Sequence, residues 1–183
     1  MTSADAFKLS SVELTDGEIN LRRFTDADIP AIVVACSDPD TTRFIPHIPT
    51  PYGEHDARAY IQLTHELQAS GARLPLAIAD ARTDELLGAI DVRLGDEGSI
   101  GYWIGPWARN RGVATRALKL LSAWALEEGG VRRLLLMTHP ANLASQRVAK
   151  KAGFRRISTI DDHLPFQDGT TEAALFELVP SAA

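Results

Sequence analysis

Three short apolar segments follow one another closely: LPLAIAD at 74–80, LLGAIDVRL at 86–94 and SIGYWIG at 99–105. Turn signals separate them, RTDE before the second and GDEG before the third. Spacings this short suggest antiparallel hairpins, because a parallel return needs a crossover of about a dozen residues or more. Directly after the third segment the apolar period changes. In RNRGVATRALKLLSAWALEEGG, 109–130, the residues Val113, Ala117, Leu120, Leu121 and Trp124 recur at helical spacing. Hairpins that hand over to an amphipathic helix call for a sheet with helices laid against it.

The flanking sequence extends this pattern. Strand-like INLRRF (19–24) follows the turn TDGE, and Thr25 then caps a helix through DADIPAIVVACS, with Asp26 and Asp28 in its first turn. The proline-rich DPDTTRFIPHIPTPYGE (38–54) reads as an irregular loop, and HDARAYIQLTHELQASG as a second amphipathic helix ending at Gly71. After the 109–130 helix come a buried strand at 132–138 and a short helix, NLASQRVAKKAGF, with Asn142 as N-cap and Gly153 as C-cap. Strands at 154–160 and 172–179, separated by an Asp168-Gly169 turn, complete the chain. The predicted class is α/β (α+β), with a mixed, mostly antiparallel central sheet of six to seven strands and helices on both faces. No repeat or Gly/Ser linker interrupts it, so one domain over 1–183 is expected.

Charge and cysteine usage narrow the function. Lys and Arg number 19 against 24 Asp and Glu, a net charge of −5, so the molecule as a whole repels nucleic acid and any polyanion site must be local. Cys36 is the single cysteine and lies in the apolar run AIVVAC, which suits core packing in a reducing compartment better than a nucleophile. No apolar run approaches the roughly 20 residues of a membrane span, and MTSADAFKLS lacks signal-peptide features; a cytoplasmic address without membrane contact is expected.

The 109–130 helix carries its charges in the wrong order. Arg109, Arg111, Arg116 and Lys119 crowd its start and Glu127 and Glu128 its end, although a helix dipole favours acids first and bases last. A bound anion resolves the conflict. Strand, short loop, glycine and helix place unpaired N–H groups of Gly112, Val113, Ala114 and Thr115 around one point, the arrangement that binds phosphate. Arg109 and Arg111 add charge, and the Thr115 hydroxyl adds a donor.

Neither G-x-x-x-x-G-K-[ST] nor G-x-G-x-x-G occurs, which counts against nucleotide hydrolysis and hydride transfer. What occurs is R-x-x-G-x-A, written Arg109, Asn110, Arg111, Gly112, Val113, Ala114. This resembles the acyl-CoA diphosphate motif of the GNAT N-acetyltransferase superfamily. Before it, IGYWIGPWARNRG looks like that superfamily's fourth strand and bulge. After it, Asn142, Ser145 and the run Lys151, Ala152, Gly153, Phe154 match the N-x-x-S and K-x-G-F pattern of RimJ/RimL-type ribosomal-protein acetyltransferases.

The resemblance implies acetyl-CoA as cosubstrate, held in a splayed gap between two strands with its pantetheine on backbone near Tyr102, Trp103 and Ile104. A primary amine then attacks the thioester directly. Ser145 is implied as the source of the thiolate's proton, and Asn142 as the residue that orients the cofactor amide or the helix entrance. A backbone N–H between Trp103 and Gly105 is implied as the oxyanion donor. Many relatives place a Glu base on the fourth strand, whereas Ser99 stands near that position here. Asp91 is one substitute; alternation in AIDVRL offers it solvent or Arg93 as partner. His139 is a second, since histidine titrates near neutrality, and a water chain is a third.

His47, His55, His65 and His163 show no metal-ligand spacing, so no metal is expected. Phe44, His47 and Tyr52 belong to the proline-rich loop that in relatives walls the acceptor pocket. The expected acceptor is a protein N-terminus or a small-molecule amine. Oligomeric state is open, a homodimer included. The alternative reading is a non-catalytic acyl-CoA sensor on the same fold.

Overall fold

The computed structural model describes residues 9, 11–45, 48–161 and 164–180. Its strands are β1 Leu14–Thr15, β2 Ile19–Arg22, β3 Arg73–Asp80, β4 Leu86–Arg93, β5 Glu97–Ile104, β6 Arg133–Thr138, β7 Arg155–Ile160 and β8 Ala173–Leu178. They form one 8-stranded sheet in the order β1-β2-β3-β4-β5-β6-β8-β7. The helices are α1 Ile29–Ser37, α2 Pro39–Thr42, α3 Glu54–Ser70, α4 Val113–Glu127 and α5 Leu143–Lys151. Adjacent strands run antiparallel except β5 and β6, which are parallel. The sheet exceeds the six to seven strands expected through β1, whose two residues are too few for alternation to show.

Pairing register sorts side chains onto two faces, since residues opposite one another project the same way. Leu76, Ile90 and Tyr102 share one face, which continues through Leu134, Leu136 and Phe176. Against it lie Val113, Ala117, Leu118 and Leu121 of α4 and Ala149 of α5. The opposite face carries Ala77, Ala89 and Trp103, covered by Ile29 and Ile32 of α1 and by Ala57 and Ile61 of α3. Helices therefore cover both faces, as the apolar strands require.

Two local expectations change. The helix placed from Asp26 begins as a 3-10 turn, Asp26–Asp28, before α1. The Asp28 carboxylate is buried and receives both the Thr25 N–H and a two-pronged Arg22 guanidinium at 2.9 and 3.0 Å, which holds the chain in the tighter turn. The proline-rich 38–54 segment contains α2, because Asp38 accepts the Thr41 N–H at 2.8 Å and Pro39 occupies the first helical position. Gly71 ends α3 in the left-handed conformation as expected, while α5 closes at Ala152 with Gly153 left-handed one residue later.

Candidate active site

The parallel pair β5 and β6 stays in register only at Glu97–Arg133, Gly98–Leu134 and Ser99–Leu135. Beyond these, β5 continues to Ile104 on β4 alone, and β6 continues to Thr138 on β8 alone. A wedge therefore opens between their carboxyl ends, where open α/β sheets bind ligands. Residues 100–104 of β5 have no partner strand on that side, which leaves an edge able to pair with an extended amide-bearing chain. Both helices that follow these strands, α4 and α5, start at the open end.

At the α4 end, Gly112 is the N-cap, left-handed at φ 79, and no side chain caps the helix. Among the described residues, no protein acceptor meets the N–H groups of Val113, Ala114 or Thr115. A Cβ on Gly112 would find nothing within 4 Å, so the space beside this N-cap is open. Uncapped amides around an open point fit a diphosphate, and the first turn holds no acid to repel one.

The arginines are arranged differently from the sequence expectation. Arg109 donates to the Asp38 carboxylate and, at 2.7 Å, to the Thr41 hydroxyl, with Asp40 at 3.6 Å. Arg111 approaches Asp80 at 3.8 Å and Arg116 pairs with Asp16 at 2.7 Å. Four aspartates, Asp16, Asp38, Asp40 and Asp80, thus answer Arg109, Arg111 and Arg116, three of the cations that the helix sequence left unbalanced. A ligand is not required to supply that charge; what is left for one is the row of amides. Asn110 is left-handed at φ 60 and carries the loop into Gly112.

At the α5 end, Asn142 caps the helix, its Oδ1 accepting the Ser145 N–H at 3.0 Å. Of the two implied roles for Asn142, this is the helix entrance. The Ser145 hydroxyl accepts a hydrogen bond from the Tyr102 phenol at 3.0 Å. Tyr102 was expected to contribute backbone only; its side chain reaches from β5 to the first turn of α5. Burial pushes its pKa up to about 12, so the phenol stays protonated. Only the three-dimensional approach of β5 and α5 brings these residues together, so no spacing could have found the pair.

On the opposite face, Asp91 stands directly across from Gly101 of β5. Its partner is Arg73 of β3 rather than Arg93, and both donors of Arg73 bond Oδ2. Its other oxygen, Oδ1, lies 3.7 Å from where a Gly101 Cβ would be, so the missing side chain leaves that oxygen a view across β5. Burial raises the Asp91 carboxyl above its ordinary value, despite Arg73. Trp103 shares this face, within a cluster that includes Tyr60 and Tyr52. Cys36 sits in the same cluster with its thiol pushed up to about 11 by burial, an inert core position. Tyr52 lines this cluster, and Ser99 takes part in the last β5–β6 pair.

His139 is buried at the end of β6, its Nε2 3.1 Å from Asp168 and its Nδ1 accepting the Ala141 N–H at 3.0 Å. Phe44 and Phe166 flank its ring at centroid distances of 5.3 and 4.8 Å. With both nitrogens engaged, His139 has no free lone pair to serve as the base. Phe44 packs on His139 at this end of β6, whereas His47 lies outside the described residues. Gly105 donates its N–H to Leu87 and is not available to an oxyanion.

The family described as "Acetyltransferase (GNAT) domain" matches residues 18–155. The curated "Uncharacterized N-acetyltransferase YnaD" of Bacillus subtilis is 27% identical over 148 residues, covering 79% of this chain and 84% of that protein. RimJ of Mycobacterium smegmatis, solved in complex with CoA-disulfide, superposes with a TM-score of 0.80 at 16% identity, covering 92% of this chain and 86% of that one. The ribosomal-protein-S5-alanine acetyltransferase of Vibrio fischeri gives 0.80 at 14% identity, covering 93% and 98%. At these identities the two structures share the fold with this chain.

Proposed function

Because the chain belongs to the GNAT acetyltransferase family, we propose that its wedge directs acetyl transfer to a primary amine entering from the α1/α3 face, with the α-amine of a protein N-terminus as acceptor class. The chain is an acyl-CoA-dependent N-acetyltransferase and acetyl-CoA is its cosubstrate. The N-terminal acceptor is supported by a structural neighbour named a ribosomal L7/L12 alpha-N-protein acetyltransferase. The observation that carries the reading is the parting of β5 from β6 after Ser99–Leu135, beside the uncapped start of α4.

Acetyl-CoA supplies an activated thioester carbonyl; the protein supplies position and proton traffic. The N–H groups of Val113, Ala114 and Thr115 hold the diphosphate, and Gly112 allows it to approach. The free edge of β5 from Tyr102 to Ile104 holds the extended arm. As the new C–N bond forms and the C–S bond breaks, Asp91 Oδ1 takes the amine proton from one face and Ser145 gives its proton to the departing sulfur from the other; Ser145 then regains a proton from water and Asp91 releases one to it, so that no net proton is left on the protein. Because Tyr102 donates to Ser145 Oγ, the serine's own hydrogen is left free to point into the wedge.

The test is turnover. The protein is incubated with acetyl-CoA and a panel of peptides with free N-termini, lysine side-chain amines and small amines, following thiol release and product mass. Thiol release with N-terminally acetylated peptides is the expected result. Acetyl-CoA binding without thiol release on any amine would overturn it in favour of an acyl-CoA sensor.

A further inference from the structure

The turn between β6 and α5 is held by one imidazole. His139 Nδ1 accepts the N–H of Ala141, the His139 carbonyl accepts the N–H of Asn142 at 2.9 Å, and Gln146 Nε2 closes onto the Pro140 carbonyl at 2.7 Å. Asn142 then caps α5 through the Ser145 N–H. On the other side of the ring, Nε2 faces an Asp168 oxygen, and Asp168 is itself oriented by the Thr170 N–H at 3.0 Å. Accepting from Ala141 requires an unprotonated Nδ1, so the ring proton sits on Nε2 and is donated to Asp168. Phe44 and Phe166 prevent the ring from turning to another rotamer.

We propose that His139 is a positioning residue for the acetyl transfer: with Asp168 it fixes the α5 entrance in the one arrangement that aims the Ser145 hydroxyl at the wedge. This rests on the reading above, in which Ser145 is the proton donor. The connection is short and rigid. Asp168 selects the tautomer, the tautomer holds Ala141, and the turn sets the first helical residues on which Ser145 is carried. Releasing the Ala141 N–H lets the first turn of α5 shift relative to Tyr102, whose own place on β5 is fixed by pairing with β4. Diphosphate binding at α4 does not depend on this turn, so the loss falls on the rate rather than on cofactor affinity.

The experiment compares His139→Leu, His139→Asn and Ser145→Ala, purified as full chains and checked for cooperative melting, in steady-state assays on the acetylated acceptor. Leu fills the space between the phenylalanines without an acceptor atom, whereas Asn places its Oδ1 where Nδ1 stood. His139→Leu is expected to lose about 10- to 100-fold in kcat, the penalty of a misplaced group, with KM for acetyl-CoA within about twofold. His139→Asn is expected to recover most of the loss, which a purely packing role for the ring would not allow. Wild-type kcat in His139→Leu, alongside a slowed Ser145→Ala, overturns the proposal alone. Wild-type kcat in Ser145→Ala overturns the underlying reading and the proposal with it. A second measurement needs no variant: nitrogen NMR of the wild-type imidazole is expected to show the Nε2–H tautomer, and an Nδ1–H tautomer overturns the proposal.

Discussion

Tyr102 of β5 and Ser145 of α5 meet through a hydrogen bond of 3.0 Å, phenol to hydroxyl, at the side of the gap where β5 has lost its parallel partner. The phenol is half-buried and its pKa is pushed up to about 12, so it stays protonated and acts as a fixed donor. Removing it frees the Ser145 hydroxyl to rotate. Tyr102→Phe is expected to lower kcat by about three- to tenfold, the worth of one neutral hydrogen bond, with KM for acetyl-CoA nearly unchanged. Steady-state kinetics on the purified variant check this; a change confined to KM would show that the phenol serves binding instead.

Gly112 combines a left-handed backbone with open space beside the N-cap of α4. Gly112→Glu strains that backbone and sets a carboxylate at the proposed diphosphate site. Acetyl-CoA affinity, measured by calorimetry, is expected to fall about 100-fold or more while the fold persists. Unchanged affinity in a folded variant would place the cofactor elsewhere.

Asp91→Asn tests the proton acceptor. Burial raises the Asp91 carboxyl, which makes it a better base than a solvated aspartate, and Asn cannot take a proton. The rate at saturating acetyl-CoA is expected to fall about 100-fold. Because the folded carboxyl is raised, activity in the wild type should climb with pH through that raised value, and this limb should vanish in the variant. A pH–rate profile identical to the wild type would clear Asp91 of the role.

Asp38 is expected to make the fold acid-sensitive. Burial works against its charge, but the bonds from Arg109 and Thr41 win, and its carboxyl titrates below the ordinary range. A depressed carboxyl contributes stability above its unfolded value, near about 3.9, and that contribution is lost as pH falls through the lower folded value. Asp38→Asn should therefore melt lower at neutral pH and show a flatter decline below about pH 4, read by circular dichroism. Arg109→Ala should reproduce it.

The Arg22–Asp28 pair is a structural counterpart, with Asp28 only 3% exposed and Arg22 13%. Asp28→Ala removes the buried one of the two carboxylates on the Arg22 guanidinium, leaving Asp84 at 2.6 Å, and uncaps the 3-10 turn. A loss of about 3–5 kcal/mol is expected from denaturant unfolding, the usual result of breaking a buried pair from one side. A loss below about 1 kcal/mol would mean that water replaces the carboxylate without cost.

Much of the site was legible in residue order because its parts are local. R-x-x-G-x-A sits on one turn, and the Asn142 cap with Ser145 three residues on follows from helix geometry, so both appear where the sequence placed them. What failed to read was long-range. The cations at the head of α4 looked unanswered because their partners Asp16, Asp38 and Asp80 lie far away in the chain. Asp91 was given solvent or Arg93 on its own strand, but a neighbouring strand offers a closer partner on the same face, Arg73. His139 read as a candidate base, and only the fold, which brings Asp168 to Nε2 while Ala141 bonds Nδ1, shows both of its nitrogens to be occupied.

The sequence by itself determined most of the elements, their order and the glycine-led start of α4, because hydrophobic period, capping and glycine conformation depend on residues within one turn of each other. The tertiary structure alone decided where β5 and β6 part and which side chains meet there. Strand register and side-chain pairing across the sheet are set by packing among segments distant in the chain, and no local pattern encodes them.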